Sequence, residues 1–375
     1  MSATWIELDL SRLRRNLAAV RQLLPRAAHF ILGVEGNAYG HGLAAVAPCA
    51  WSCGVKTYQA GGIEEAVALR GLLPAADVLV AGVADPADVP AVLEHRLTVM
   101  VVSEAHALVL ARAAAARMAA VQAHAEIDTG MGLFGFDWQT GPATLGRLSR
   151  TPGLRLTGLR STFAASDEDT DAALAEMQAG RFSRAIEDCR LAGVRAKMRY
   201  MADAAAMLRH PEWVMDGARP GLLAYGYPPR GLVGHDVACA PFLQWRARLV
   251  EVKRVEPGFA VGAARGSPAR NRTRVGAVAA GYGDGVDARL GGRGVVLVGA
   301  RACPVIGAVD LHAMAVDLGP DGPQKAGDEV VLLGTQGEAA ICAADVADWC
   351  GTTTAAVLTA IRAGNRPAVP DGRNW

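Results

Sequence analysis

Residues 29–42 read HFILGVEGNAYGHG, an apolar run that stops at Glu35 and gives way to a loop with glycine at 36, 40 and 42. A short apolar run rich in β-branched and aromatic residues predicts a fully buried strand. The glycines let the backbone turn tightly and approach another group closely. The pattern recurs along the chain. Strand-like runs at 29–34, 57–61, 77–83, 98–103, 120–128, 155–161, 197–202 and 213–218 alternate with helical-period stretches such as 63–72, 105–116 and 170–192. Eight strands with crossover helices in about 220 residues is the arithmetic of a (β/α)₈ barrel, a TIM-like fold. A doubly wound open sheet is the rival, but no G-x-G-x-x-G follows the first strand.

From Gly234 the composition shifts to strand-like runs at 245–255, 274–280, 294–298, 304–309, 313–317 and 329–333 separated by Gly and Pro, with a helix from Ala343. That predicts a mostly antiparallel β domain with a terminal helix. The expected division is a strand within 1–10 that pairs with the C-terminal domain, a barrel over 11–233, and a β domain over 234–375.

Composition narrows the function. Of the 375 residues 51% are hydrophobic and 20% charged, which suits a globular core. A net charge of +1 gives no general attraction to phosphate backbones or acidic bilayers, so neither nucleic acid nor a membrane is an expected partner. The opening residues lack an export signal and no apolar run spans a bilayer, which predicts a cytoplasmic protein. The seven cysteines are scattered and read as free thiols. Lysine occurs only at 56, 197, 253 and 325.

In a barrel of this kind the loops after the strands build the site. Those loops hold Glu35 to Gly42 after strand one, Glu126 to Met131 around the end of strand five, Asp203 after strand seven, and Arg219-Pro220-Gly221-Leu222 after strand eight. These segments resemble the bacterial alanine racemases, pyridoxal-phosphate enzymes with a barrel followed by a β domain. The first loop is similar to K-A-N-A-Y-G-H-G, residues 128–131 to D-T-G-M, 208–211 to L-R-H-P, 219–221 to R-P-G, and 281–285 to G-Y-x-D-G. The resemblance implies isomerase chemistry, a Schiff-base lysine, a tyrosine from a partner subunit and a head-to-tail homodimer.

Several positions depart from that pattern. Glu35 stands where the family has its lysine, and a carboxylate cannot condense with an aldehyde. Ala263, in Val261-Gly262-Ala263-Ala264, stands where the family has the tyrosine. Residues 131–136 lack the family's arginine, Thr162 replaces a histidine, Ala204 a serine, and Ala355 a phosphate-binding tyrosine. Tyr39, Arg219, Gly221 and Leu222 match cofactor contacts. Asp128 and Asp203 complete the candidate catalytic set with Glu35 and Ala263.

The expectation from these departures is a protein without a covalent cofactor, in which pyridoxal phosphate binding is doubtful. It would be repurposed to bind, with or without a new reaction, a small amino-acid-like or phosphorylated ligand, with ordinary racemisation absent. Two alternatives stand beside it: a pseudoenzyme acting through protein association, and a racemase holding pyridoxal phosphate without a covalent bond. Glu35 and Arg219 are expected to form a salt bridge, since strands one and eight adjoin in a closed barrel. A divalent cation is a further possibility, with Glu35, Glu126, Asp203 and His312 as weak candidate ligands and no local metal signature.

Overall fold

The computed structural model describes residues 4–164, 172–229, 237–262 and 271–362, and the backbone of 364 and 365. By contacts the chain divides into a barrel unit, Arg12–Gly36 with Leu43–Ala240, and a β unit, Met1–Ser11 with Asn37–Gly42 and Pro241–Trp375.

The barrel strands are His29–Gly33, Thr57–Ala60, Asp77–Val83, Thr98–Val101, Val121–Asp128, Leu154–Arg160, Met198–Tyr200 extended by Ala202–Asp203, and Gly217–Arg219. All neighbours pair in parallel, and Gly217 opposite His29 closes the ring. Strands flanked by helices on one side and the barrel interior on the other are buried on both faces, which is why their sequences read as continuous apolar runs. Strand eight is shorter than expected and starts at 217, because Pro211–Trp213 forms a 3₁₀ turn instead. Proline has no N–H to give a ladder and its fixed φ suits the first helical position.

The interior fills in layers drawn from alternate strands. Ile31, Leu79, Met198 and Tyr200, from strands one, three and seven, form one buried cluster. His124 of strand five joins them through Nδ1, 3.1 Å from the Tyr200 hydroxyl. Burial holds the His124 imidazole down to about 4, with Arg160 and His29 adding repulsion, so it is neutral at physiological pH.

In the β unit Thr4–Leu8 pairs antiparallel with Leu243–Val255, which also pairs with Thr273–Val278 and Glu329–Gln336. Val295–Val298, Arg301–Ile306, Met314–Asp317 and Ala339–Ile341 complete this sheet with the short Gly364–Asn365. The helices Ala343–Cys350 and Thr354–Ala360 follow it in the chain. Seven cysteines are free, four of them buried.

The segment after barrel strand one is wound the wrong way. Gly36, Asn37, Ala38 and Tyr39 have φ of 63, 60, 55 and 49°, a left-handed helical turn in which three residues carry side chains. Each costs roughly 1–2 kcal/mol against the right-handed form. The turn is held where it ends. Gly40, at φ +72°, lies so close to the Leu358 carbonyl that a Cβ would sit 2.0 Å from its oxygen.

Candidate active site

Strand order and register decide which side chains meet at the C-terminal end of the barrel. Gly33 of strand one pairs with Gln59 of strand two, and two residues further Glu35 Oε1 accepts a hydrogen bond from Gln59 Nε2 at 2.5 Å. Gln59 Oε1 in turn accepts from Arg160 Nη1 at 3.5 Å. Arg160 faces Glu126 across strands six and five, with Nε 3.1 Å from Oε2, an ion pair whose angle is too poor for a hydrogen bond. Thr162 is the junction: its hydroxyl donates to Glu126 Oε1 at 3.1 Å and accepts from Arg219 Nη2 at 3.2 Å. Arg219 also reaches the Ser161 carbonyl at 3.4 Å.

This chain of contacts alternates acids and bases. Glu35, Glu126 and Asp203 supply negative charge, and Arg160 and Arg219 supply positive charge. Burial pushes the Glu126 carboxyl above its usual value, opposed by the guanidinium groups of Arg160 and Arg219. Burial and the neighbouring Arg160 push Arg219 down, opposed by Tyr200, Glu126 and Asp203. An arginine stays charged through such a shift. Four atoms in the mouth are buried and make no hydrogen bond; Glu126 Oε2 and Arg160 Nε face each other as the ion pair, which leaves Glu35 Oε2 and Arg219 Nε. The first is an acceptor and the second a donor.

The expected salt bridge between Glu35 and Arg219 does not form. Ala218 pairs with Phe30, which puts Arg219 level with Ile31, four residues before Glu35. At about 3.3 Å per residue the two lie roughly 13 Å apart along the strand direction. Asp203 pairs in register with Arg219, and its carboxylate caps the following helix through the Ala206 N–H at 2.9 Å. Asp128 is engaged in its own loop: Oδ1 accepts from the N–H groups of Gly130, Met131 and Gly132 at 2.9, 2.9 and 3.1 Å. Gly221 and Leu222 open the 3₁₀ turn after strand eight, with Gly221 at φ +51° and open space where a Cβ would project. Tyr39 and His312 belong to the β unit, and Ala263 lies outside the described residues.

Gln59 and Arg160 were not among the candidates from sequence, and Thr162 entered only as the replacement of a histidine. Gln59, Arg160 and Arg219 come from strands two, six and eight, alternate strands whose inward side chains share a layer. A polar residue near the end of an otherwise apolar strand was the available signal.

Two family profiles match the chain: "Alanine racemase, N-terminal domain" over residues 8–229 and "Alanine racemase, C-terminal domain" over 242–368. The chain belongs to the alanine racemase family. An alanine racemase of Symbiobacterium thermophilum is 32% identical, with 96% of this chain and 95% of the relative covered. One of Treponema pallidum is 33% identical over 88% of each. Among solved structures, alanine racemase from Bacillus anthracis with bound L-Ala-P superposes at a TM-score of 0.90 with 26% identity, covering 98% of this chain and 96% of that one. Alanine racemase from Streptomyces coelicolor gives 0.87 at 29% identity, with 97% of each covered.

These likenesses overturn the expectation that the chain has left racemase chemistry for ligand binding or for a non-catalytic role in association. Relatives about a third identical along almost the whole chain are alanine racemases, which points to a racemase. The expected absence of a covalent cofactor, and the doubt over pyridoxal phosphate, fall on the same ground. That expectation weighed a few mouth positions alone, whereas the likeness runs through both domains. The cation cage is corrected as well. Among the described residues no group of three or more His, Cys, Asp or Glu is placed to hold a metal ion. Glu126 is paired with Arg160 and Asp203 caps a helix, so neither carboxylate is left for a cation.

Among the described residues no helix is long and apolar enough to cross a membrane.

Proposed function

We propose that the chain interconverts the enantiomers of a small amino acid of alanine size, with pyridoxal phosphate held at the barrel mouth. The observation that carries the reading is the buried, unpartnered Arg219 Nε at the end of strand eight. A guanidinium only donates, so this atom fits a cofactor that presents an acceptor there. The open backbone at Gly221, where the 3₁₀ turn begins, fits a phosphate. When bound, pyridoxal phosphate supplies the electron sink that makes an α-proton removable.

The chain's own contribution is to bind, orient and move a proton. Glu35 stands at the position of the family's lysine, and Ala263 at that of its tyrosine. Glu35 Oε2 accepts the α-proton on one face, with Gln59 fixing the carboxylate through Oε1, and because Ala263 has no acid to offer, solvent returns a proton on the opposite face. Arg160 and Glu126 brace Gln59 from behind, and Thr162 ties that pair to Arg219. We further infer a homodimer acting on a small molecule, which the family likeness supports; light scattering on the purified chain tests it.

The test of the activity is chiral chromatography of L-alanine incubated with the protein and pyridoxal phosphate. D-alanine should form, with solvent deuterium at Cα, and Arg219→Ala should abolish it. No D-enantiomer from alanine, serine or any other small amino acid would refute the reading. For the position of Glu35, borohydride reduction of Glu35→Lys with the cofactor should leave a pyridoxyl group on residue 35. An unlabelled residue 35 in a folded variant would place the lysine's position elsewhere.

A further inference from the structure

The β unit contains a cavity of about 180 Å³ that the racemase reading does not use. Its wall includes Val296, Leu332, Leu333, Val346 and Val357, all buried. Trp245 lines it as well, 4% exposed, and its indole Nε1 is buried without a hydrogen-bond partner. An indole N–H donates only, so it calls for an acceptor. The aliphatic side chains around it supply no acceptor.

The mouth carries the complementary charge. Arg362 and Tyr282 line it and are exposed. The Arg362 backbone N–H is bonded to the Asp284 carbonyl at 3.0 Å, and among the described residues no hydrogen bond or ion pair engages its guanidinium. Asp287, the acidic residue on the lining, is already answered by Arg289, whose Nε and Nη2 reach its two oxygens at 2.9 and 2.6 Å. The cavity therefore presents a largely apolar wall, one orphaned donor and, among the described residues, one uncompensated positive charge.

We propose that this cavity binds a small monocarboxylate bearing a compact branched or aromatic group, its oxygens shared between Trp245 Nε1 and the Arg362 guanidinium. Size fits the class: an apolar cavity of roughly 150 Å³ accommodates benzene. Charge fits it too, since a cation would be repelled by Arg362 and a neutral molecule would gain a weaker hydrogen bond from it than a carboxylate does.

Isothermal titration calorimetry on the full chain tests the assignment with benzoate, benzamide and benzylamine. Benzoate should bind saturably, benzamide about tenfold more weakly, and benzylamine not at all. Arg362→Ala and Trp245→Phe should each weaken benzoate by about tenfold, and Ala360→Leu, which fills the cavity, should abolish binding in a protein that keeps its circular dichroism. Equal binding of benzoate and benzamide would overturn the proposal, as would wild-type affinity in both single variants or no benzoate heat. Binding that survives Ala360→Leu but vanishes in Arg219→Ala would put benzoate at the barrel mouth and overturn it equally.

Discussion

Replacing His124 with Gln should flatten the acid side of the protein's stability curve. The imidazole is held down to about 4 from an ordinary 6.5, chiefly by burial and then by Arg160 and His29. At neutral pH the folded and unfolded chains both carry it neutral, so it leaves no pH dependence there. Between 6.5 and about 4 the unfolded chain takes up a proton that the native barrel refuses, and stability falls as pH falls. At about 1.36 kcal/mol for each pH unit of that window, the loss reaches about 3 kcal/mol. Gln keeps a polar partner for the Tyr200 hydroxyl, 3.1 Å from Nδ1 in the wild type, but cannot titrate. His41 contributes a loss of the same sign, being held to about 4 by its own burial, and it is present in both proteins. Glu126 acts oppositely, because its raised carboxyl favours the protonated native state, and it too is common to both. The difference between wild type and variant therefore isolates His124. Urea unfolding followed by circular dichroism between about pH 7.5 and about pH 4 should show the wild type's advantage shrinking by about 3 kcal/mol. Parallel curves would refute the reasoning, for they would mean that the imidazole is solvated in the native state.

Further outcomes follow from the mouth and its loop. Glu35→Gln should lower D-alanine formation by at least roughly a hundredfold in the chiral assay, since an amide cannot accept the proton; full turnover would remove Glu35 from the chemistry. Arg160→Met leaves the buried Glu126 unpaired and should cost roughly 3–5 kcal/mol in urea unfolding, with much of it recovered by adding Glu126→Gln. If the second change makes matters worse, the pair is not what Arg160 supports. Ala38→Gly, at φ 55°, should stabilise the protein by up to about 1 kcal/mol, and a destabilised variant would mean the turn is not strained. Gly40→Ala should cost more than about 2 kcal/mol by thermal unfolding, because the new Cβ meets the Leu358 carbonyl; unchanged stability would show that the segment moves freely.

The barrel was legible because parallel strands buried on both faces leave continuous apolar runs, and seven of the eight begin within one residue of their expected starts. Strand eight starts four residues after its expected beginning at 213, because Trp213 read as part of an apolar stretch while the chain spends it on the 3₁₀ turn that Pro211 opens. Which loops reach the mouth was legible too, but which side chains touch was not. Contact between strands one and eight depends on stagger, and stagger follows from closure of the whole ring, which no local run of residues encodes. That is why Glu35 bonds to Gln59 rather than to Arg219. Arg160 escaped notice because a charge at the end of a strand looks like an exposed terminus until its neighbour, Glu126, is seen to be buried with it. The functional expectation failed for a related reason. It treated individual substitutions at 35, 162 and 204 as decisive, whereas the likeness to alanine racemases is distributed over both domains.

The reversed winding at Gly36 to Tyr39 has one more implication. Left- and right-handed backbone basins are separated by forbidden torsions, so this stretch cannot drift by small adjustments from one to the other. The winding therefore sets the path of the chain as it leaves Glu35, and it is kept or lost as a whole. Insertions or deletions between residues 33 and 43 should therefore be tolerated far less than changes of side chain at the same places.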